Sequence, residues 1–204
     1  MEGDEKRRGA KPNHSSSDDS LATTSAQAAT PIPLQHPPVD VGGVKYDLGH
    51  LNAFAAAIPG KGIHPGTNLG VVVVFSNHVF TERTKHGEVH HTIDHNGTKR
   101  TFDSDRFEMS KILASAIKYK IETNDLTYAS KSFGGIDNLV LLETSDGRVW
   151  TIVYCLRPIS NGKAVRMEIL SCHPKVVDQR KISRQHLSYF ARQCLFEGCR
   201  TPKE

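Results

Sequence analysis

The chain has 204 residues, a formal net charge of +4 and 37% hydrophobic residues, room for one ordinary domain plus a tail. No run approaches the roughly eighteen apolar residues of a membrane-spanning helix, and no apolar stretch follows the charged start as a secretory signal requires. The spacings of Cys155, Cys172, Cys194 and Cys199 match no zinc pattern, so reduced thiols in a cytoplasmic protein are expected, with no metal and no cofactor.

Residues 1–40 hold Pro12, Pro31, Pro33, Pro37 and Pro38, carry a net −2, and contain no aromatic residue. Such a segment buries too little apolar surface to offset its conformational entropy, so it is read as a disordered tail ahead of one domain at 41–204. Leu51, Phe54, Ala55 and Ile58 then fall at helical spacing, which predicts a short helix stopped by Pro59-Gly60. After the turn-rich "GKGIHPGTN", the β-branched run "LGVVVVFSN" predicts a strand buried on both faces.

Asn96-Gly97 marks a hairpin between Val89–Asp94 and Lys99–Phe102. Asp103 or Ser104 can cap the next helix, whose apolar stripe is Met109, Ile112, Leu113, Ala116, Ile117 and Ile121. Strands follow at Leu126–Ser130, Leu139–Thr144, Val149–Leu156 and Ala164–Cys172, the last three joined by turns at Asp146-Gly147 and Asn161-Gly162. A final helix begins at Ser183, with Leu187, Phe190, Ala191, Cys194 and Leu195 on one face and Gly198 placed to end it. The expected fold is α+β: a mainly antiparallel sheet built from hairpins, with two to three packing helices behind the disordered N-terminal tail.

Four histidines, His86, His90, His91 and His95, crowd the first half of that hairpin. On a helix, two pairs of them would sit at a metal-binding spacing; on a strand, His91 and His95 share a face and His90 points away. Glu88 stands one place too late for H-E-x-x-H, so a solvated hairpin is expected in preference to a metal site.

Candidate chemistry lies in "RVWTIVYCLRPISNGKAVRMEILSCHPK". If Trp150 and Tyr154 lie beside Arg166 and Glu168, aromatic, cationic and carboxylate groups converge, with His173 at the strand end and Arg157 at its turn. That set suits a metal-independent ribonuclease or toxin-like domain. Glu168, His173 or His78 would move protons, Arg166 would stabilise phosphate charge, and Trp150 and Tyr154 would stack an unpaired base. The competing reading is an ordinary cross-strand ion pair and a core tryptophan. Residues 163–204 carry +5, and Lys175, Arg180, Lys181 and Arg184 precede a helix, a place where phosphate can dock or a connector can simply be solvated.

The motifs "PGKGIHPGTNLGVVVVFSNHVFTERTKHGE", "GTKRTFDSDRF", "VWTIVYCL" and "VRMEILSCHPK" resemble an uncharacterised group of small bacterial proteins labelled stationary-phase growth adaptation or heat-shock proteins. The resemblance covers about residues 45–202 and implies a bacterial or phage-derived intracellular setting; it implies no activity. Three functions therefore stay open: a nucleic-acid-acting enzyme, a non-catalytic module holding RNA or an acidic protein, and a protein–protein adaptor. An open face shared by Trp150, Tyr154, Arg166 and Glu168 would favour the enzyme, and a buried, mutually paired set would remove it.

Overall fold

The computed structural model describes residues 32–60, 68–130, 138–159, 164–174 and 184–203. The turn at Asn161-Gly162 and most of "GKGIHPGTN" lie outside these. Two short strands, β1 (Val39–Val41) and β2 (Val44–Tyr46), form a hairpin, followed by a 3-10 turn at Gly49–Leu51. β3 (Phe54–Ile58) and β4 (Leu69–Phe75) come next, and a second 3-10 turn, Asn77–Val79, closes β4. β5 (Thr81–Arg83), β6 (Thr92–Ile93) and β7 (Lys99–Phe102) make a small sheet ordered β5-β7-β6.

After helix α1 (Ser104–Glu122) come β8 (Leu126–Ser130), β9 (Asn138–Ser145), β10 (Arg148–Pro158), β11 (Ala164–His173), β12 (Arg184–His186) and helix α2 (Leu187–Glu197). The main sheet has the order β12-β8-β9-β10-β11-β4-β3. Its neighbours are antiparallel except for the parallel pair β11–β4. The fold is therefore mixed helix and sheet, with the valine run of β4 between two neighbours as its apolar sequence requires.

α1 starts where a short acidic side chain can cap it: the Asp103 carboxylate accepts the Arg106 amide at 3.0 Å. Its buried face is Phe107, Met109, Leu113, Ile117 and Ile121, whereas Ile112, assigned to that stripe from spacing, is exposed. Lys120 ties the far end down through Glu143 at 3.2 Å and Asp125 at 3.3 Å. α2 buries Leu187, Phe190, Ala191 and Cys194, and Gly198 ends it in the left-handed conformation at φ 64°, donating its amide to the Cys194 carbonyl.

One predicted element changes type. Residues 54–58 form strand β3 paired with β4, not the end of a helix. Seven or eight residues before Pro59-Gly60 are too few for a stable isolated helix, and the adjacent β4 offers backbone partners instead. The tail also ends earlier than composition suggests. Ile32 and Val39 are buried, the Ile32 carbonyl accepts Arg166 Nη2 at 2.7 Å, and His36 Nε2 donates to the Phe75 carbonyl at 2.8 Å. Residues 32–40 thus belong to the domain. Deleting residues 1–40 should lower the thermal midpoint well below that of a chain lacking only 1–31; equal midpoints would contradict the packing of this segment.

Candidate functional site

Register decides where the predicted residues go. β10 and β11 pair with Tyr154 opposite Ile169, Cys155 opposite Glu168, and Arg157 opposite Arg166. A bulge at Val153/Tyr154 leaves Leu170 unmatched. Trp150, Ile152 and Tyr154 therefore share a face with Val165, Met167 and Ile169, and that face is covered by α1 and α2. Trp150 is 1% and Tyr154 0% exposed. Tyr154 hydrogen-bonds Thr127 Oγ1 at 2.7 Å, and burial pushes its hydroxyl pKa far up. Neither ring can stack a base, which corrects the sequence reading of a shared open face.

Glu168 and Arg166 lie on the other face, paired with each other and with Arg157. Glu168 Oε2 accepts Arg157 Nε at 3.0 Å and the Cys155 thiol at 3.6 Å, while Oε1 lies 3.3 Å from Arg166 Nε. That last contact is one of charge and not an aligned hydrogen bond, since Arg166 Nε has no hydrogen-bond partner among the described residues. Burial raises the Cys155 pKa to about 11 and the Cys172 pKa to about 12, leaving protonated thiols rather than nucleophiles. Five residues of strand separate Glu168 from His173, on the order of 16 Å, far beyond the reach of a shared proton transfer. The proposed grouping of Glu168, Arg166 and His173 in one reaction centre is not formed, and with Trp150 and Tyr154 buried and Glu168 paired to Arg157 and Arg166, an enzyme acting from this sheet face is removed.

The strand ends do gather polar groups. His78 sits in the turn after β4, and Arg106 Nη1 donates to its carbonyl at 3.1 Å and to that of Thr81 at 2.8 Å. Arg106 Nη2 reaches His173 Nδ1 at 3.5 Å, and His173 Nε2 lies 2.9 Å from Ser171 Oγ. His78 Nε2 bonds Asp94 Oδ2 at 2.8 Å, while Asp94 Oδ1 accepts the amides of Asn96 and Thr98 at 2.9 and 2.8 Å. Burial favours raising the Asp94 carboxyl, but the Thr98 amide, the His78 ring and the Asn96 amide outweigh it and hold it below its ordinary value. His78 is lowered by burial and by the Arg100 charge against the pull of Asp94, so its ring is neutral at neutral pH.

The Asn-Gly turn forms a hairpin, but its first strand is only Thr92–Ile93 of β6 paired with β7, shorter than the expected Val89–Asp94, and none of the four histidines lies in a strand. His91 Nδ1 accepts the Phe102 amide at 3.1 Å, and His90 is exposed. Among the described residues no group of three or more His, Cys, Asp or Glu side chains is arranged to hold a metal ion. His95 instead comes to 6.1 Å from the His78 ring, centroid to centroid.

A second surface lies on α2. Tyr189 (53% exposed), Arg192 and Phe196 (93% exposed) follow at i, i+3 and i+7 on the solvent side. Tyr189 is steadied by an edge contact with the buried Phe190 at 5.2 Å. Arg184, in β12, is exposed just ahead, and neither it nor Arg192 has an ion-pair partner among the described residues. Lys175, Arg180 and Lys181, predicted to join Arg184, lie outside the described residues. Sequence reading did not single out Asp94, Arg106, Tyr189, Arg192 or Phe196. The α2 ridge was findable as the helical complement of the apolar face; Asp94 was marked only by its place two residues before Asn96-Gly97.

His36, His50 and His78 are all lowered from 6.5, each first by burial. The unfolded chain therefore takes up these protons before the folded one does, so their stabilising contribution is complete above about pH 6.5 and declines as pH falls below it. The thermal midpoint should drop between pH 7.5 and 5.5, ahead of any loss from Asp94 at lower pH. A flat or rising midpoint over that interval would contradict the partly buried, neutral state of these rings.

An α+β domain of mixed sheet, with two helices on one face and an aromatic and cationic ridge on the second of them, is the class defined here. A model of the YjaZ family matches residues 38–195, and the chain belongs to the YjaZ family. No curated protein and no solved structure matches it. No helix among the described residues is long and apolar enough to cross a membrane.

Proposed function

We propose that this domain binds single-stranded nucleic acid through the outward face of α2. The observation that carries the reading is the stripe Tyr189, Arg192, Phe196, with two aromatic rings flanking a guanidinium that has no ion-pair partner among the described residues. One exposed aromatic is ordinary on a protein surface. Two on one helical stripe with an exposed cation between them match the way unpaired bases are held, by stacking on rings while cations meet the phosphates. Arg184 extends the positive charge past the helix start. The basic balance of residues 163–204 points the same way.

The test is fluorescence anisotropy of a labelled single-stranded RNA across a salt series. Tyr189→Ala and Phe196→Ala should each weaken binding by about 1–3 kcal/mol, and Arg192→Ala should flatten the salt slope by about one unit. These exposed positions carry no part of the core, so a folded variant is expected in each case. Unchanged affinity in the Tyr189→Ala, Phe196→Ala double variant would reject the surface. Failure to bind RNA or DNA at low salt would leave an acidic protein as the partner of this ridge.

A further inference from the structure

We propose that His78 and His95 form a metal-independent acid–base pair able to cleave an RNA strand at its 2′-hydroxyl. The choice of RNA rests on the binding reading above, while the pairing rests on geometry at the far end of β4. His78 is built as a general base is built. A buried carboxylate, itself pinned by two backbone amides, holds Nε2 at 2.8 Å and so fixes the ring's tautomer and direction. The side chain is 25% exposed, and its Nδ1 has no hydrogen-bond partner among the described residues. His95, half-buried with neither ring nitrogen hydrogen-bonded among the described residues, lies 6.1 Å from it with the rings inclined at 32°.

Two rings at that separation can each reach a different oxygen of one phosphodiester, given hydrogen bonds of about 2.8 Å. The structural alternative is that Asp94 and His78 merely pin the Asn-Gly hairpin to the end of β4. That role accounts for Asp94 but leaves the second ring, and the open nitrogens of both, without a purpose. Arg100 and Arg106 are committed to the Thr81 carbonyl and so act as a positive backing, not as phosphate ligands. In the reaction, His78 Nδ1 takes the 2′-hydroxyl proton and the 2′-oxygen bonds to phosphorus. The bond from phosphorus to the 5′-oxygen breaks, and that oxygen leaves with a proton delivered by His95 as the general acid. The products are a 2′,3′-cyclic phosphate and a 5′-hydroxyl, with no change of oxidation state.

The experiment incubates the full chain, after chelator treatment, with a single-stranded RNA and with its all-deoxy counterpart. Cleavage of the RNA alone, leaving the cyclic phosphate, is expected. His78→Gln and His95→Gln should each slow it by about 10²- to 10⁴-fold. His95 is half-exposed, so its variant keeps the test valid if loss of the Asp94 contact unfolds the other. Intact RNA after incubation with folded wild-type protein, or wild-type rates in both variants, would overturn the pair. Anisotropy on the same samples separates the two readings. Binding without cleavage rejects the pair alone, and cleavage that persists at the wild-type rate after Tyr189→Ala and Phe196→Ala rejects the α2 surface alone.

Discussion

Replacing Trp150 by alanine should cost about 3–5 kcal/mol of unfolding free energy, a large share of the roughly 5–15 kcal/mol that holds an ordinary domain together. The ring is buried, in one core cluster with Leu113, Ile117, Ile152 and Tyr154. Its removal leaves a cavity that a seven-stranded sheet cannot close by small shifts. The polar part of the side chain contributes little, because Trp150 Nε1 has no hydrogen-bond partner among the described residues. Trp150→Phe should therefore be much milder than Trp150→Ala. Denaturant midpoints of the two variants check this. A loss below about 1 kcal/mol for the alanine variant, the range of an exposed substitution, would contradict the burial.

Glu168→Ala should destabilise by about 2–4 kcal/mol, somewhat under the cost of breaking a fully buried ion pair because Arg157 is half-exposed and can turn to solvent. Arg166 cannot do so as easily, since its guanidinium is held by the Ile32 carbonyl and would keep its charge with no carboxylate beside it. Glu168 is expected from sequence to move protons, but its pairing with Arg157 and Arg166 makes its loss first a matter of stability. Chemical denaturation of Glu168→Ala and Arg166→Met together provides the control. If the loss comes from a stranded charge, the double variant should be more stable than Glu168→Ala. Additive losses would show that the pair is not coupled.

What the sequence made legible follows from which forces are local. The Asp103 cap, the stripe of α1 and the Gly198 stop are read within one or two helical turns, and all are present save that Ile112 of the stripe faces solvent. The strands β8 to β11 were equally readable from alternation and turn residues. "FAAAI" was not, because alanine suits either state and the neighbour that settles it, β4, lies a loop away. Alternation also placed Arg166 and Glu168 correctly on one side of β11 and Val165 and Met167 on the other. It could not say which of those sides meets Trp150, because that depends on pairing register across the sheet and on the bulge at Leu170. Residues 32–40 looked like tail because proline-rich composition is averaged over a window, whereas Ile32 and His36 are held by partners more than thirty residues away. The His78–Asp94 contact was hidden for a related reason: sixteen residues and a whole hairpin separate the two.

Photo-crosslinking of a 4-thiouridine RNA to the full chain, with the attached residues identified by mass spectrometry, tests the proposed surface most directly. Crosslinks should map to Tyr189 and Phe196 on α2 and disappear as salt is raised, because the phosphate contacts that bring the strand to the helix are screened. Crosslinks confined to other parts of the domain, or none from a folded protein at low salt, would contradict the assignment of nucleic-acid binding to α2.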